Sequence, residues 1–183
     1  KEYRRQRQMC IRDRIETVFR SLWIVATMLI VFGILLGIAD YVGAKRRALD
    51  QLTVPHGIVY GLAQSLALIP GVSRSGGTIT AGLFMGYERA AAARYAFLLA
   101  IPAVLGSGFY QLVKSFDKQG PFTLVETGAA TLVAFLVALA VIAFFMNYIS
   151  KRSFLPFVIY RIALGVFVMV CILTGVIDAV PAT

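Results

Sequence analysis

The chain reads as an all-α polytopic membrane protein with four spanning helices and one re-entrant helix–loop–helix hairpin. Three observations predict this. Hydrophobic residues make up 59% of the chain and charged ones 15%, with a mean hydropathy of +0.80, a balance foreign to water-soluble domains. The apolar residues come in helix-length blocks separated by short basic loops. One block is broken in its middle by Pro70-Gly71-Val72-Ser73-Arg74-Ser75-Gly76-Gly77-Thr78, and each flank is too short to cross a bilayer.

The first fourteen residues, KEYRRQRQMCIRDR, are strongly charged, do not begin with Met and lack the apolar core of a signal peptide. They are expected to be a non-native, assembly-derived leader, with one membrane unit over 15–183 and a natural chain that continues upstream. From Ser21 to Ala39 the sequence is almost continuously apolar and long enough to span. After the basic loop Lys45-Arg46-Arg47, the stretch from Gly57 to Ile69 gives only about 20 Å of helix before Pro70 stops it. Gly76 to Gly86 gives about 16 Å more. The pair is therefore expected to enter and leave on one side, as a hairpin over 57–86 enclosed by protein. Tyr95 to Val113, Phe122 to Asn147 and Leu155 to Ile177 complete the spans.

Charge sets the orientation. If the hairpin returns to its origin, loops 41–56, 87–94 and 148–154 share one face and carry Lys45, Arg46, Arg47, Arg89, Arg94, Lys151 and Arg152, against Lys114 and Lys118 opposite. The richer face is cytoplasmic by the positive-inside rule, and the tip with Arg74 points toward mid-membrane and the outer side. The net charge of +9 is spread over loops and one terminus rather than gathered on a folded face, so nucleic acid is not an expected partner. Cys10 and Cys171 form no disulfide framework or zinc spacing. The pairs Gly33/Gly37, Gly57/Gly61 and Gly82/Gly86 are read as internal packing faces, with Gly33/Gly37 the one suited to a homodimer.

The broken segment carries the chemistry. Arginine at membrane depth is costly, roughly 2.5 to 3.5 kcal/mol on insertion scales, so it is kept there with a partner and a function. Its planar fork fits phosphate. Gly71 can take positive φ, and Ser75 or Gly76 can cap a second half-helix whose first amides face the loop. Backbone amides of Gly71, Gly76 and Gly77, the hydroxyls of Ser73, Ser75 and Thr78, and the Arg74 guanidinium are expected to converge on a phosphate or diphosphate. The competing reading is that these small polar residues only satisfy the backbone of a broken helix. The segment is neither a P-loop nor a nucleophile elbow, lacking Gly-Lys-Ser/Thr and having Ser75 two positions after Ser73.

The run GLAQSLALIP from Gly61 to Pro70, leading into PGVSRSGGT, resembles the second signature of the bacitracin-resistance type undecaprenyl-diphosphatases. AAARYAFLLAIP, from Ala91 to Pro102, extends the resemblance, which covers about residue 15 to the C-terminus. It implies a bacterial inner-membrane phosphohydrolase built from two inverted halves, converting undecaprenyl diphosphate to undecaprenyl phosphate and phosphate for cell-wall synthesis. It also implies Arg74 as the catalytic phosphate-binding arginine, with Ser73, Ser75 and Thr78 around it and Gln64 facing the same cavity. The family's first signature, with paired acidic residues and a Ser/His loop, has no counterpart in these residues, so this stretch alone is expected to be inactive. No metal ligands are assigned, although a diphosphate could bring Mg²⁺ or Ca²⁺ with it. The alternative function is transport of an anion or lipid phosphate, since broken helices also form transporter sites. His56, Glu126 and Asp178 are read as interfacial. Arg161 is read as structural, either snorkelling to the cytoplasmic interface or pairing with an acid.

Overall fold

The computed structural model describes residues 21–116 and 124–179. The leader over 1–14 and Lys118 lie outside the described residues. The helices are α1 (Leu22–Val42), α2 (Val54–Ser65), α3 (Arg74–Phe84), α4 (Arg89–Phe116), α5 (Leu124–Lys151) and α6 (Leu155–Leu173). Short 3₁₀ turns at Leu49–Gln51 and Leu66–Leu68 flank α2. Among the described residues there is no strand, and α1, α4, α5 and α6 are each long and apolar enough to cross a membrane.

The expected spans recur with shifted ends. Three helices extend where residues beyond the apolar block continue the hydrogen-bond ladder, as α4 does by starting at Arg89, whereas α6 stops short at Leu173. Pro at the second position opens both α2 and α6, where its missing N–H costs nothing. Pro102 falls inside α4, where it removes one ladder donor.

The two glycine notches on α1 are filled by α6. A Cβ at Gly33 would stand 3.0 Å from Ile162 Cγ1, and one at Gly37 would stand 3.2 Å from Val158 Cγ1. Gly165 of α6 in turn sits against Ile30 and the carbonyl of Ala26. The pair therefore packs closely and antiparallel, as small residues permit where lipid gives no hydrophobic drive. Gly33/Gly37 is thus an internal packing face, as read from the sequence, and the lesser reading of it as a homodimer face does not fit, because the surface is occupied from within the chain. Gly82 plays the same packing role between α3, Tyr60 and Ala92.

The three basic loops meet at one end. Arg46 and Arg47 donate backbone N–H groups to Gly86 O at 3.0 Å, and Glu88 N returns to Arg47 O at 2.9 Å. Asp40 accepts from Arg89 and from the backbone N–H of Phe154 at 3.1 Å, and is also bonded through its carbonyl to Lys45. The expectation that loops 41–56, 87–94 and 148–154 share a face is met. At the other end Leu22 N bonds Ala179 O at 2.9 Å. The core of the described bundle, including Tyr60, Leu83, Tyr87, Ala92 and Phe154, lies toward the basic end, where α2 and α3 pack against one another.

Candidate functional site

The loop joining α2 to α3 reaches α1 near its first turns. A Cβ at Gly71 would lie 2.5 Å from Val25 O and 3.0 Å from Met28 Cβ, and the residue has φ +95°, so only glycine fits there. Ser73 also takes positive φ, at +68°, which strains a non-glycine residue. Its Oγ accepts from Gly76 N at 3.3 Å, making Ser73 the N-cap of α3. The cap was expected at Ser75 or Gly76. The left-handed turn at Ser73 closes the loop earlier than the glycines would, so Arg74 and Ser75 become the first two helical residues.

That shift separates the expected ligands, because consecutive residues on a helix point about 100° apart. Arg74 is exposed, its guanidinium makes no hydrogen bond or ion pair among the described residues, and it lines a cleft of about 310 Å³ with Gln64, Gly61 and Leu68. Ser73, Ser75 and Gly76 instead line a second cavity of about 360 Å³, walled by Phe97, Phe145 and Phe157. The expected convergence of all these groups on one cavity is therefore corrected: Arg74 and Gln64 come together, and the serines face elsewhere.

Thr78 is fully buried and donates its hydroxyl to Arg74 O at 2.9 Å or Ser75 O at 3.0 Å within its own helix. A helical threonine satisfied by the preceding turn presents no donor to the loop. Gly77 carries no side chain because its position faces Ala63 O, 3.1 Å from where a Cβ would stand, and this closeness holds α3 on α2. Gln64 Nε2 donates to Leu99 O at 3.4 Å, one residue along from Leu98, whose carbonyl Pro102 leaves without its ladder donor. Its Oε1 is buried without a partner among the described residues. A glutamine so held keeps an unused acceptor beside Arg74.

Sequence reasoning singled out Arg161 as a structural charge but missed its partners. It does not snorkel, and among the described residues it pairs with no acid. It is 9% exposed, and its Nη2 donates to Gly71 O at 2.7 Å and Val72 O at 2.9 Å. Its position mid-way along an apolar helix was visible, but its partners, two main-chain carbonyls of the loop, carry no side-chain signature.

His56 sits at the basic end and away from the loop. Arg47 Nη1 lies 3.1 Å from His56 Nε2, and His56 Nδ1 lies 2.8 Å from Tyr87 Oη, which donates to Gln51 O at 3.3 Å. This chain of donors is complete with a neutral ring protonated at Nδ1. Burial pushes the Tyr87 hydroxyl above its ordinary value, opposed by the charge of Arg47, so it remains a donor. The interfacial reading of His56 fits this network. Asp178 is exposed beyond the end of α6. Among the described residues no group of three His, Cys, Asp or Glu side chains is placed to hold a metal ion.

These features define a class: a multi-helix membrane protein whose bundle encloses a cationic loop that breaks a helix pair. The chain belongs to the family of the bacitracin resistance protein BacA, matching the family model over residues 8–167. It is 59% identical over 174 residues to the undecaprenyl-diphosphatase of Pseudarthrobacter chlorophenolicus, covering 93% of this chain and 63% of that protein. It is 60% identical over 172 residues to that of Renibacterium salmoninarum, covering 92% and 61%. Undecaprenyl-diphosphatase 2 of Agrobacterium fabrum is 56% identical over 168 residues, covering 92% and 60%. The chain thus spans about three fifths of the length of the curated relatives it matches.

Proposed function

We propose that the protein containing this chain is an undecaprenyl-diphosphatase of the bacterial inner membrane, removing the terminal phosphate of a polyprenyl diphosphate so that the lipid carrier can be reused in cell-wall synthesis. Kinship with proteins of that name supports the reading. The observation that carries it is Arg74, a guanidinium with no partner among the described residues, at the first position of α3 in a cleft it shares with Gln64. The amides at the start of a helix and an arginine fork together favour a phosphate anion. Arg74 would offset charge gathering on the transferring phosphoryl group, since phosphoryl transfer is catalysed mainly by positioning and electrostatics.

In this reading α2, the loop and α3 form a re-entrant hairpin from the cytoplasmic side, supported by the meeting of both its ends with the basic loops. The tip then lies toward the outer side, where a lipid headgroup is accessible. Ser73 positions Arg74 through the cap, and Ser75, Gly71, Gly76 and Gly77 shape the loop, while Thr78 acts through helix α3. A divalent cation such as Mg²⁺ or Ca²⁺ could arrive with the diphosphate. The attacking group would come from the rest of the protein.

The alternative, carriage of an anion or lipid phosphate, draws on the same broken helix. One experiment separates them. The full-length protein in detergent micelles, given a polyprenyl diphosphate, should release inorganic phosphate continuously. Absence of phosphate release, with headgroup exchange across proteoliposomes, would favour carriage instead.

A further inference from the structure

We infer that Arg161 is a positioning residue of the phosphate loop, holding the loop in the strained conformation that aims Arg74. The inference rests on the phosphohydrolase reading for its kinetic form, though its geometry stands apart from it.

A charged side chain inside a spanning helix is costly and is kept for a reason. Arg161 forms no ion pair among the described residues, and its two hydrogen bonds there go to the carbonyls of Gly71 and Val72. Satisfying two carbonyls would not by itself require a cation. Three further features do call for this particular group. The two residues flanking Val72, Gly71 and Ser73, are both held at positive φ, so the clamped carbonyls belong to the strained turn itself. Nη1 lies 2.4 Å from where a Cβ at Gly76 would stand, so the guanidinium lies against the first turn of α3 and requires glycine there. Its Nε is buried without a partner among the described residues, so the head is placed by the loop rather than by its own side of the cavity.

The consequence follows along the chain. The bonds from Arg161 to the carbonyls of Gly71 and Val72 keep Ser73 from relaxing to ordinary φ, Ser73 then caps Gly76, and Arg74 leaves the turn toward the Gln64 cleft. Releasing the clamp would rotate the turn and move the Arg74 fork while leaving it charged. Misplacement on an ångström scale costs on the order of 10²-fold in rate.

The test uses the full-length protein and four variants: Arg161→Gln, Arg161→Lys, Gly76→Ala, and Gly76→Ala with Arg161→Gln, each checked for folding by thermal melting in detergent. Arg161→Gln should lose on the order of 10²-fold in kcat with KM within about threefold. Arg161→Lys, which keeps a donor and the charge, should recover part of that loss. Gly76→Ala should resemble Arg161→Gln, because its new methyl displaces the guanidinium, and the double variant should be no worse than either single one. Should Arg161→Gln fail to fold, Gly76→Ala and Arg161→Lys carry the comparison. A kcat for Arg161→Gln within about twofold of wild type, or losses that multiply in the double variant, overturns the inference. If the wild-type protein releases no phosphate, the phosphohydrolase reading fails, and inorganic diphosphate binding becomes the readout. Weaker binding in both single variants without further weakening in the double one supports the clamp, and unchanged binding overturns it.

Discussion

The carboxylate of Asp40, near the end of α1, accepts a hydrogen bond at 3.1 Å from the backbone N–H of Phe154, 114 positions along the chain. Phe154 is the N-cap of α6, and Asp40 takes the N–H of that residue itself from a neighbouring helix, as the returning arm of a capping box does. The same carboxylate takes Arg89 at the start of α4 and lies 3.9 Å from Lys45. One acid therefore ties three loops and explains why they meet at one end.

Asp40→Ala should destabilise the full-length protein by about 2 kcal/mol, since it orphans a buried N–H while Arg89 and Lys45 can turn to water. Asp40→Asn keeps one acceptor and should lose about half as much. Unfolding in detergent reads both. Equal stability of Asp40→Ala and wild type would mean that the loops are held by their backbone bonds alone.

Gly82 and Tyr60 are fitted to one another. A Cβ at Gly82 would stand 2.2 Å from Tyr60 Oη and 2.9 Å from Ala92 Cβ, and that hydroxyl is buried without a partner among the described residues. Gly82→Ala should cost about 1 to 3 kcal/mol by overpacking. Tyr60→Phe should be neutral or slightly stabilising, because it removes an unsatisfied group, and should relieve part of the Gly82→Ala loss when combined. Additive losses would place the strain on Ala92 instead.

Periodicity and block length made the helices legible, and Pro70 with Gly71 made the break legible, because proline and glycine act locally. The cap at Ser73 was not legible. Its positive φ is imposed by contacts from Arg161 and α1, which no window of sequence contains. The same reason hid the fate of Thr78, whose residue type suits a ligand and a back-bonded helix position equally well. Gln64 beside Arg74 was expected from the family resemblance alone, since nothing local in the sequence says which side of a short helix its amide faces. Arg161 was conspicuous as a charge, yet its partners were backbone atoms ninety residues away and therefore silent.

Sidedness is tested by thiol labelling in intact cells, with Cys10 and Cys171 replaced. Asp50→Cys lies in the loop tied to Gly86 and should resist an impermeant reagent until the membrane is opened. Asp178→Cys, exposed at the other end, should react from outside. The reverse pattern would place the loop tip toward the cytoplasm and remove its access to a lipid headgroup on the outer side.

The loop itself predicts an order of effects in the full-length protein that differs from the one residue types suggest. Arg74→Ala should lower kcat by on the order of 10²- to 10³-fold, as removal of one donor to developing charge does. Arg74→Lys should recover little, because an ammonium lacks the paired donors of the fork. Ser73→Ala gives up a cap worth about 1 kcal/mol while keeping the positive φ, whereas Ser73→Gly relieves the backbone and should be the milder change. Thr78→Val should leave phosphate release within about threefold of wild type, since its hydroxyl is spent on carbonyls that the helix already bonds. Steady-state phosphate release from a polyprenyl diphosphate ranks all of them. A Thr78→Val variant as damaged as Arg74→Ala would mean that α3 unwinds by a turn when substrate arrives, freeing that hydroxyl for the phosphate.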